Sequence, residues 1–198
     1  MAEVLSPASA KFMDACKGGH LTRLVALLRG TDDDRVDVRC CSDFAFRAAC
    51  VNGHLEVVKA LLALGGARRV DVHAKRDFAF RWACSAGRLD VVTLLLGLRG
   101  DRGISLGAPV HNAFVWSCRM GQVGVVKALM AHTLAPPTRD MGLLWASAAG
   151  ETDVVKELLG APDKRAIGQR AAGYRAAYRA ARAGGFHAVL LEFKAVMQ

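Results

Sequence analysis

Arg47–Leu62 reads RAACVNGHLEVVKALL and Arg81–Leu96 reads RWACSAGRLDVVTLLL, the same pattern shifted by 34 residues. Outward from this pair, DACKGGHLTRLVALL (Asp14–Leu28), VWSCRMGQVGVVKALM (Val115–Met130) and LWASAAGETDVVKELL (Leu144–Leu159) align without internal gaps, and a degenerate copy, RAARAGGFHAVLLEFK (Arg179–Lys194), follows them. Self-similarity at a period of this length marks a chain of stacked supersecondary units, each too small to bury its own apolar face.

The columns of the alignment say what each unit is. Glycines at 19, 53, 87, 121, 150 and 184 recur in steps of 34, 34, 34, 29 and 34, so one connection has lost five residues. Cys16, Cys50, Cys84 and Cys118 keep the step of 34, with Ser147 and Ala181 in the fifth and sixth places. Phe12, Phe46, Phe80, Phe114 and Leu143 stand four residues before that column. Positions i, i+3 and i+4 share a helical face, so Phe46, Ala49 and Cys50 are expected to point together into a core. Ser9, Asp43, Asp77 and Asp140 are read as N-caps of this first helix, with Asn112 substituting where His111 breaks the column. The glycine ends the helix in a left-handed turn. A second helix follows directly, its stripe Leu55, Val57, Val58, Leu61, Leu62 and again Leu89, Val91, Val92, Leu95, Leu96 packing antiparallel to the first. Segments such as GGARRVDVHAKRD between pairs predict a projecting loop or short hairpin.

Composition agrees. Ala, Leu and Val dominate a 53% hydrophobic chain with only 7% aromatics, which favours helices. No apolar run approaches the roughly 20 residues of a membrane span. The N-terminus lacks a basic region followed by an apolar one, so a cytoplasmic or nuclear setting with six reduced cysteines is expected. The net charge is +9, of which residues 162–198, with seven basic and two acidic side chains, carry +5. An anionic partner is one implication.

The chain resembles the ankyrin repeat family. GHLEVVKALL (Gly53–Leu62) is similar to the family's second-helix signature and VDVHA (Val70–Ala74) to its loop tip, over roughly residues 9 to 194. The family's T-P-L-H is replaced by FAFR at Phe44–Arg47 and Phe78–Arg81, so its Thr–His bonding is absent and the Phe column is expected to compensate by packing. The DFAFRWAC style resembles divergent ankyrin proteins of algae, oomycetes and large DNA viruses. The resemblance implies an all-α solenoid of about six helix-turn-helix repeats in one domain spanning 1–198. The repeats cover about 9–41, 42–75, 76–109, 110–138 and 139–161, with a basic capping repeat at 162–198. It also implies a concave surface, formed by loop tips and the exposed side of each first helix, that grips a partner protein.

Residues that recur in every copy serve the fold. The Cys column spaces thiols one repeat apart, about 10 Å, too far for a shared tetrahedral ion, so no metal and no cofactor are expected. Cys40 and Cys41 lack a His or second pair beside them. No phosphate-binding G-x-x-x-x-G-K-[ST] loop and no Ser/His or Cys/His motif is present, so no catalytic residue is expected. Two surfaces remain after this subtraction. The three tryptophans, Trp82, Trp116 and Trp145, share one repeat position, with Arg47, Arg81 and Arg119 close by and the tips near Arg39–Ser42, His73–Arg76 (including Lys75) and Pro136–Arg139 flanking them. Trp and Arg are enriched in interface hot spots, and together they suit an acidic or amphipathic segment of another protein bound by a monomer. The other reading of the tryptophans is that they only tile the surface. The second surface is GYRAAYRAARAGG, where Arg175, Arg179 and Arg182 share a helical face beside Tyr174 and Tyr178. It is either a solvated capping helix or a contact for nucleic acid or phospholipid.

Overall fold

The computed structural model describes residues 6–29, 36–105, 107–132, 136–160 and 171–196. Among them are twelve helices in consecutive pairs and no strand. The pairs are α1 (Pro7–Gly18) with α2 (Leu21–Leu28), α3 (Cys40–Asn52) with α4 (Leu55–Leu62), and α5 (Ala74–Ser85) with α6 (Leu89–Leu96). Then come α7 (Ala108–Arg119) with α8 (Val123–Met130), α9 (Pro136–Ala149) with α10 (Thr152–Gly160), and α11 (Ala171–Ala183) with α12 (His187–Val196). The chain divides into two compact units, Met1–Ala83 with Arg88–Ile104, and Cys84–Gly87 with Ser105–Gln198. In the first, α1 packs on α3 and α2 on α4, which in turn meets α6; in the second, α7, α9 and α11 form one layer and α8, α10 and α12 another.

The recurring columns are the core. Phe12, Phe46 and Phe80 in the first unit and Phe114 in the second are fully buried, as are Cys16, Cys50, Cys84 and Cys118. A further buried column, Ala45, Ala79, Ala113, Gly142 and Ala177, recurs one residue before the Phe column, and at Gly142 it faces the preceding first helix. Its smallness permits close approach. A Cβ added at Gly142 would lie 2.6 Å from Cε1 of Phe114 and 2.9 Å from Sγ of Cys118.

The turn glycine has two reasons to be glycine. At Gly53, φ is +80°, a left-handed conformation that L side chains disfavour. A Cβ there would also meet Cδ of Arg88, the turn residue of the next repeat, at 2.7 Å. The residue after each turn donates its N–H five residues back, from His54 to Ala49 O and from Arg88 to Ala83 O. That bond sets the register of the last repeat and corrects the sequence reading. Phe186 N–H reaches Ala181 O, and Gly185, not Gly184, is left-handed at φ 71°. Ala181 therefore matches Ala49, exposed Arg182 falls in the Cys column, and Tyr178 takes the Phe position. In both Gly–Gly pairs at the turn between paired helices, Gly18–Gly19 and Gly184–Gly185, the second glycine is the left-handed one.

The N-cap expectations also change: Asn112 and Asp140 lie inside α7 and α9, and Ser9 and Asp43 bond elsewhere. α1 is capped by Ser6, whose Oγ accepts from Ser9 N–H at 3.1 Å, while Ser9 Oγ accepts from Asp37 N–H, 28 residues on. Asp43 Oδ1 likewise accepts from Asp71 N–H at 3.1 Å. The polar column thus ties α1 and α3 each to the loop that follows its helix pair. The loops are built without a hairpin: Val36, Val38, Val70 and Val72 insert into the core, and Asp37 and Asp71 turn back to accept from the N–H two residues on, 2.9 Å each. Short 3-10 turns follow α4 and α6 at Gly66–Arg68 and Gly100–Arg102. From them Arg68 and Arg102 donate to the carbonyls of Leu28 and Leu62, which satisfies acceptors that a helix end leaves open. No helix among the described residues is long and apolar enough to cross a membrane.

Candidate functional site

In each unit the first helices expose tryptophan to solvent. Trp82 is 49% exposed, Trp116 47% and Trp145 39%, with Phe44, Met120 and Met141 exposed near the same positions. In the first unit Trp82 stacks on Phe78, one turn earlier in α5, with ring centroids 5.4 Å apart and planes 29° from parallel. In the second unit the Arg119 guanidinium lies 5.1 Å from the ring centroid of Trp116 and 5.1 Å from that of Trp145, inside cation–π range of both. Repeat spacing placed the tryptophans in one column. The structure adds the arginine that joins two of them.

Arg47 and Arg81 sit differently. Cys41, Ser42 and Asp43 have φ of 55°, 57° and 55°, and Lys75, Arg76 and Asp77 have φ of 55°, 59° and 56°, a turn of left-handed backbone before each right-handed helix. Such residues are strained, and three in a row leave carbonyls outside any right-handed ladder. Arg47 answers them, donating from Nε to Ser42 O and from Nη2 to Cys41 O, both at 2.9 Å. Arg81 repeats the pattern on Arg76 O at 2.9 Å and Lys75 O at 3.2 Å. The Arg47 guanidinium also lies 5.7 Å from the Phe44 ring and 4.9 Å from that of Phe78. The side chains of Lys75 and Arg76 project into solvent.

His73 joins two loop tips. Its Nδ1 is 2.6 Å from Asp77 Oδ1 and its Nε2 is 3.0 Å from the Asp101 carbonyl, while the Asp101 carboxylate pairs with Arg69. Both ring nitrogens face acceptors, so the doubly protonated ring satisfies both. The hydrogen bond to Asp77 raises the His73 pKa above the ordinary imidazole value, burial opposes it, and the Asp101 carbonyl and the charges of Asp77 and Asp71 assist. A histidine pKa raised by folding gives stability that is complete below about pH 6.5, the unfolded value, and disappears as pH rises through the folded one. Urea midpoints of the protein and its His73→Gln variant are therefore expected to differ most near pH 5.5 and to converge toward pH 8.5. A difference that does not change with pH would contradict the staple.

At the C-terminal end, Arg175, Arg179 and Arg182 are exposed along α11 as expected. The tyrosines are turned inward: Tyr174 and Tyr178 meet Phe193 edge-on with centroids 4.8 and 5.8 Å away, and Tyr174 OH donates to Phe193 O at 2.7 Å. Burial, with the neighbouring Tyr178, raises the Tyr174 pKa. Ala172, Tyr174, Arg175, Tyr178, Arg179 and Lys194 line a groove of about 810 Å³. Lys164, Arg165 and Arg170 of the basic segment, and the repeat boundary at 161–162, lie outside the described residues. Burial pushes the thiols of Cys16 and Cys118 up to about 12, and those of Cys50 and Cys84 up as well, so the column is a row of neutral apolar side chains. No cluster of metal-ligating side chains occurs among the described residues.

His54 Nε2 meets Lys17 O at 2.8 Å and Arg88 Nε donates to Val51 O at 3.0 Å, so each turn residue reaches the previous repeat. The recurrence of Arg68 at Arg102, 34 residues on, was the available signal for the loop-to-helix bonds.

Comparison with known proteins follows the same architecture. The crystal structure of the human ASB11 ankyrin repeat domain superposes with a TM-score of 0.68 over 98% of this chain and 84% of that one, at 20% identity, which speaks for the fold alone. A search of curated proteins finds no match. The sequence profile for ankyrin repeats in three copies matches residues 12–110 and 47–142, about two thirds of the chain. With that match laid over helix pairs that continue past it in the same register, the chain belongs to the ankyrin repeat family.

Proposed function

We propose that this protein is a non-catalytic interaction module that binds a partner protein along the exposed, concave side of its first helices. Ankyrin repeats are generally protein–protein interaction modules and their fold is typically non-catalytic. The observation that carries the reading is the exposure of Trp82, Trp116 and Trp145 at one repeat position. Indoles left between two fifths and one half in water, and flanked by exposed methionines, are apolar area that a partner covers with gain. Lys75 and Arg76 at a loop tip add positive charge suited to an acidic segment. The cytoplasmic or nuclear setting expected for reduced cysteines remains part of this proposal.

The test is quantitative capture of partners from the native source by the protein and by its Trp82→Ala, Trp116→Ala and Trp145→Ala variants, each first shown to be folded by circular dichroism. A hot-spot tryptophan contributes about 2 kcal/mol or more, so affinity is expected to fall by about 30-fold at one or more of these positions. Unchanged recovery with all three variants would reject the face.

The groove beside α11 and α12 favours a second reading, binding of an anionic polymer or membrane surface through Arg175, Arg179 and Arg182. It is the weaker one, because the tyrosine rings that would stack on bases are engaged with Phe193.

A further inference from the structure

Among the described residues Arg47 and Arg119 each lie within cation–π reach of two aromatic rings, and they differ in what their N–H groups do. Arg47 spends Nε and Nη2 on the carbonyls of the left-handed turn. Arg119 lies over the rings of both Trp116 and Trp145, yet among the described residues its guanidinium makes no hydrogen bond and no ion pair. A guanidinium offers five donors in one plane, matched to the two oxygens of a carboxylate. Packing against two indoles restrains the side chain while its N–H groups keep no acceptor among the described residues, so less side-chain freedom remains to be lost on binding.

No acidic side chain among the described residues pairs with Arg119, although the Glu151 carboxylate packs on the Gly121 turn two residues further on. α7 contains no acidic residue, and the one acid of α9, Asp140, faces α11, where a Cβ added at Gly173 would lie 2.8 Å from its Cβ. The exposed side chains nearby are apolar: Trp116, Trp145, Met120 and Met141. One cation in an apolar field is poorly suited to a phosphate polymer, whose binding draws on many cations.

We infer that Trp116, Arg119 and Trp145 form a cradle for a partner peptide carrying an Asp or Glu beside large apolar side chains. The carboxylate takes the edge of Arg119 in a bidentate pair, and the apolar neighbours cover the two indoles and the methionines, whose flexible thioethers adapt to the shape presented. The inference rests on the first-helix face proposed above and names the chemistry it selects.

The experiment selects 12-residue peptides from a displayed random library on the full chain and measures their dissociation constants by fluorescence anisotropy. Binders are expected to carry an acid within three positions of Leu, Ile, Phe or Trp. Arg119→Gln is expected to weaken them at least tenfold, as is replacing the peptide's acid by its amide. Once one change is made, the second is expected to cost almost nothing, because both remove the same pair. Arg119→Lys, which keeps charge without the planar fork, should fall between, and Arg99→Gln, a charge change at an exposed site elsewhere, should match the unaltered protein. Peptides that ignore both Arg119→Gln and loss of their acid, or a library that yields no binder, overturn the cradle. If such peptides still need Trp116 or Trp145, the first-helix face stands without it; if they ignore the tryptophans too, both readings fall.

Discussion

Phe80→Ala is expected to remove about 3–5 kcal/mol of stability, the usual cost of emptying a fully buried aromatic site. Phe80 has no exposed surface, and its counterparts Phe12 and Phe46 are equally enclosed. A domain's whole stability is about 5–15 kcal/mol, so this one truncation takes a third or more of a typical total. Repeat proteins feel such a loss beyond the altered repeat, because each helix pair depends on its neighbours for a buried face. Trp82 lies two residues further along the same helix and is half in water, so Trp82→Ala should cost far less. Urea denaturation followed by circular dichroism measures both. A loss under about 1 kcal/mol for Phe80→Ala would contradict the packing described here. The contrast matters for function: it separates the column that holds the fold from the column two residues away that is proposed to meet a partner.

What could be read in the sequence follows from what recurs locally. The helix pairs, the Phe and Cys columns and the turn glycines are properties of one repeat copied along the chain, so alignment exposed them. Bonds between repeats were less legible. Ser9 and Asp43 looked like caps because cap residues and inter-repeat acceptors are the same residue types, and only the position of Asp37 and Asp71 N–H decides which they are. The sixth turn was misplaced by one residue because Gly184 keeps the step of 34 while the turn itself falls on the adjacent Gly185, as the bond to Ala181 O shows. At the candidate face, Arg119 was visible three residues after Trp116. Its contact with Trp145, 26 residues later, depends on α7 and α9 lying side by side.

Least legible was the backbone before α3 and α5, because left-handed turns are ordinarily announced by Gly or Asn and neither is present. The signal was the pairing of Asp with an Arg four residues later, Asp43 with Arg47 and Asp77 with Arg81. Where both are missing, at His111 and Val115, α7 starts instead with Pro109 in its first turn and no left-handed residue. The arginine therefore belongs to the turn before it belongs to any partner. Arg47→Ala is expected to lower stability by about 1–3 kcal/mol, since it strips two charge-assisted bonds from strained carbonyls and uncovers the rings of Phe44 and Phe78. Ser42→Gly in the same chain should recover part of that loss, because glycine takes the left-handed conformation at φ 57° without a Cβ clash. Urea midpoints of the single and double variants test this. If Arg47→Ala leaves the midpoint unchanged while weakening partner capture, its guanidinium serves the interface and the strained turn is held by something else. If the midpoint falls and glycine restores it, the FAFR sequence is a device for holding the left-handed turn, and Arg119, whose donors have no such task, is the arginine of this face left to meet a ligand.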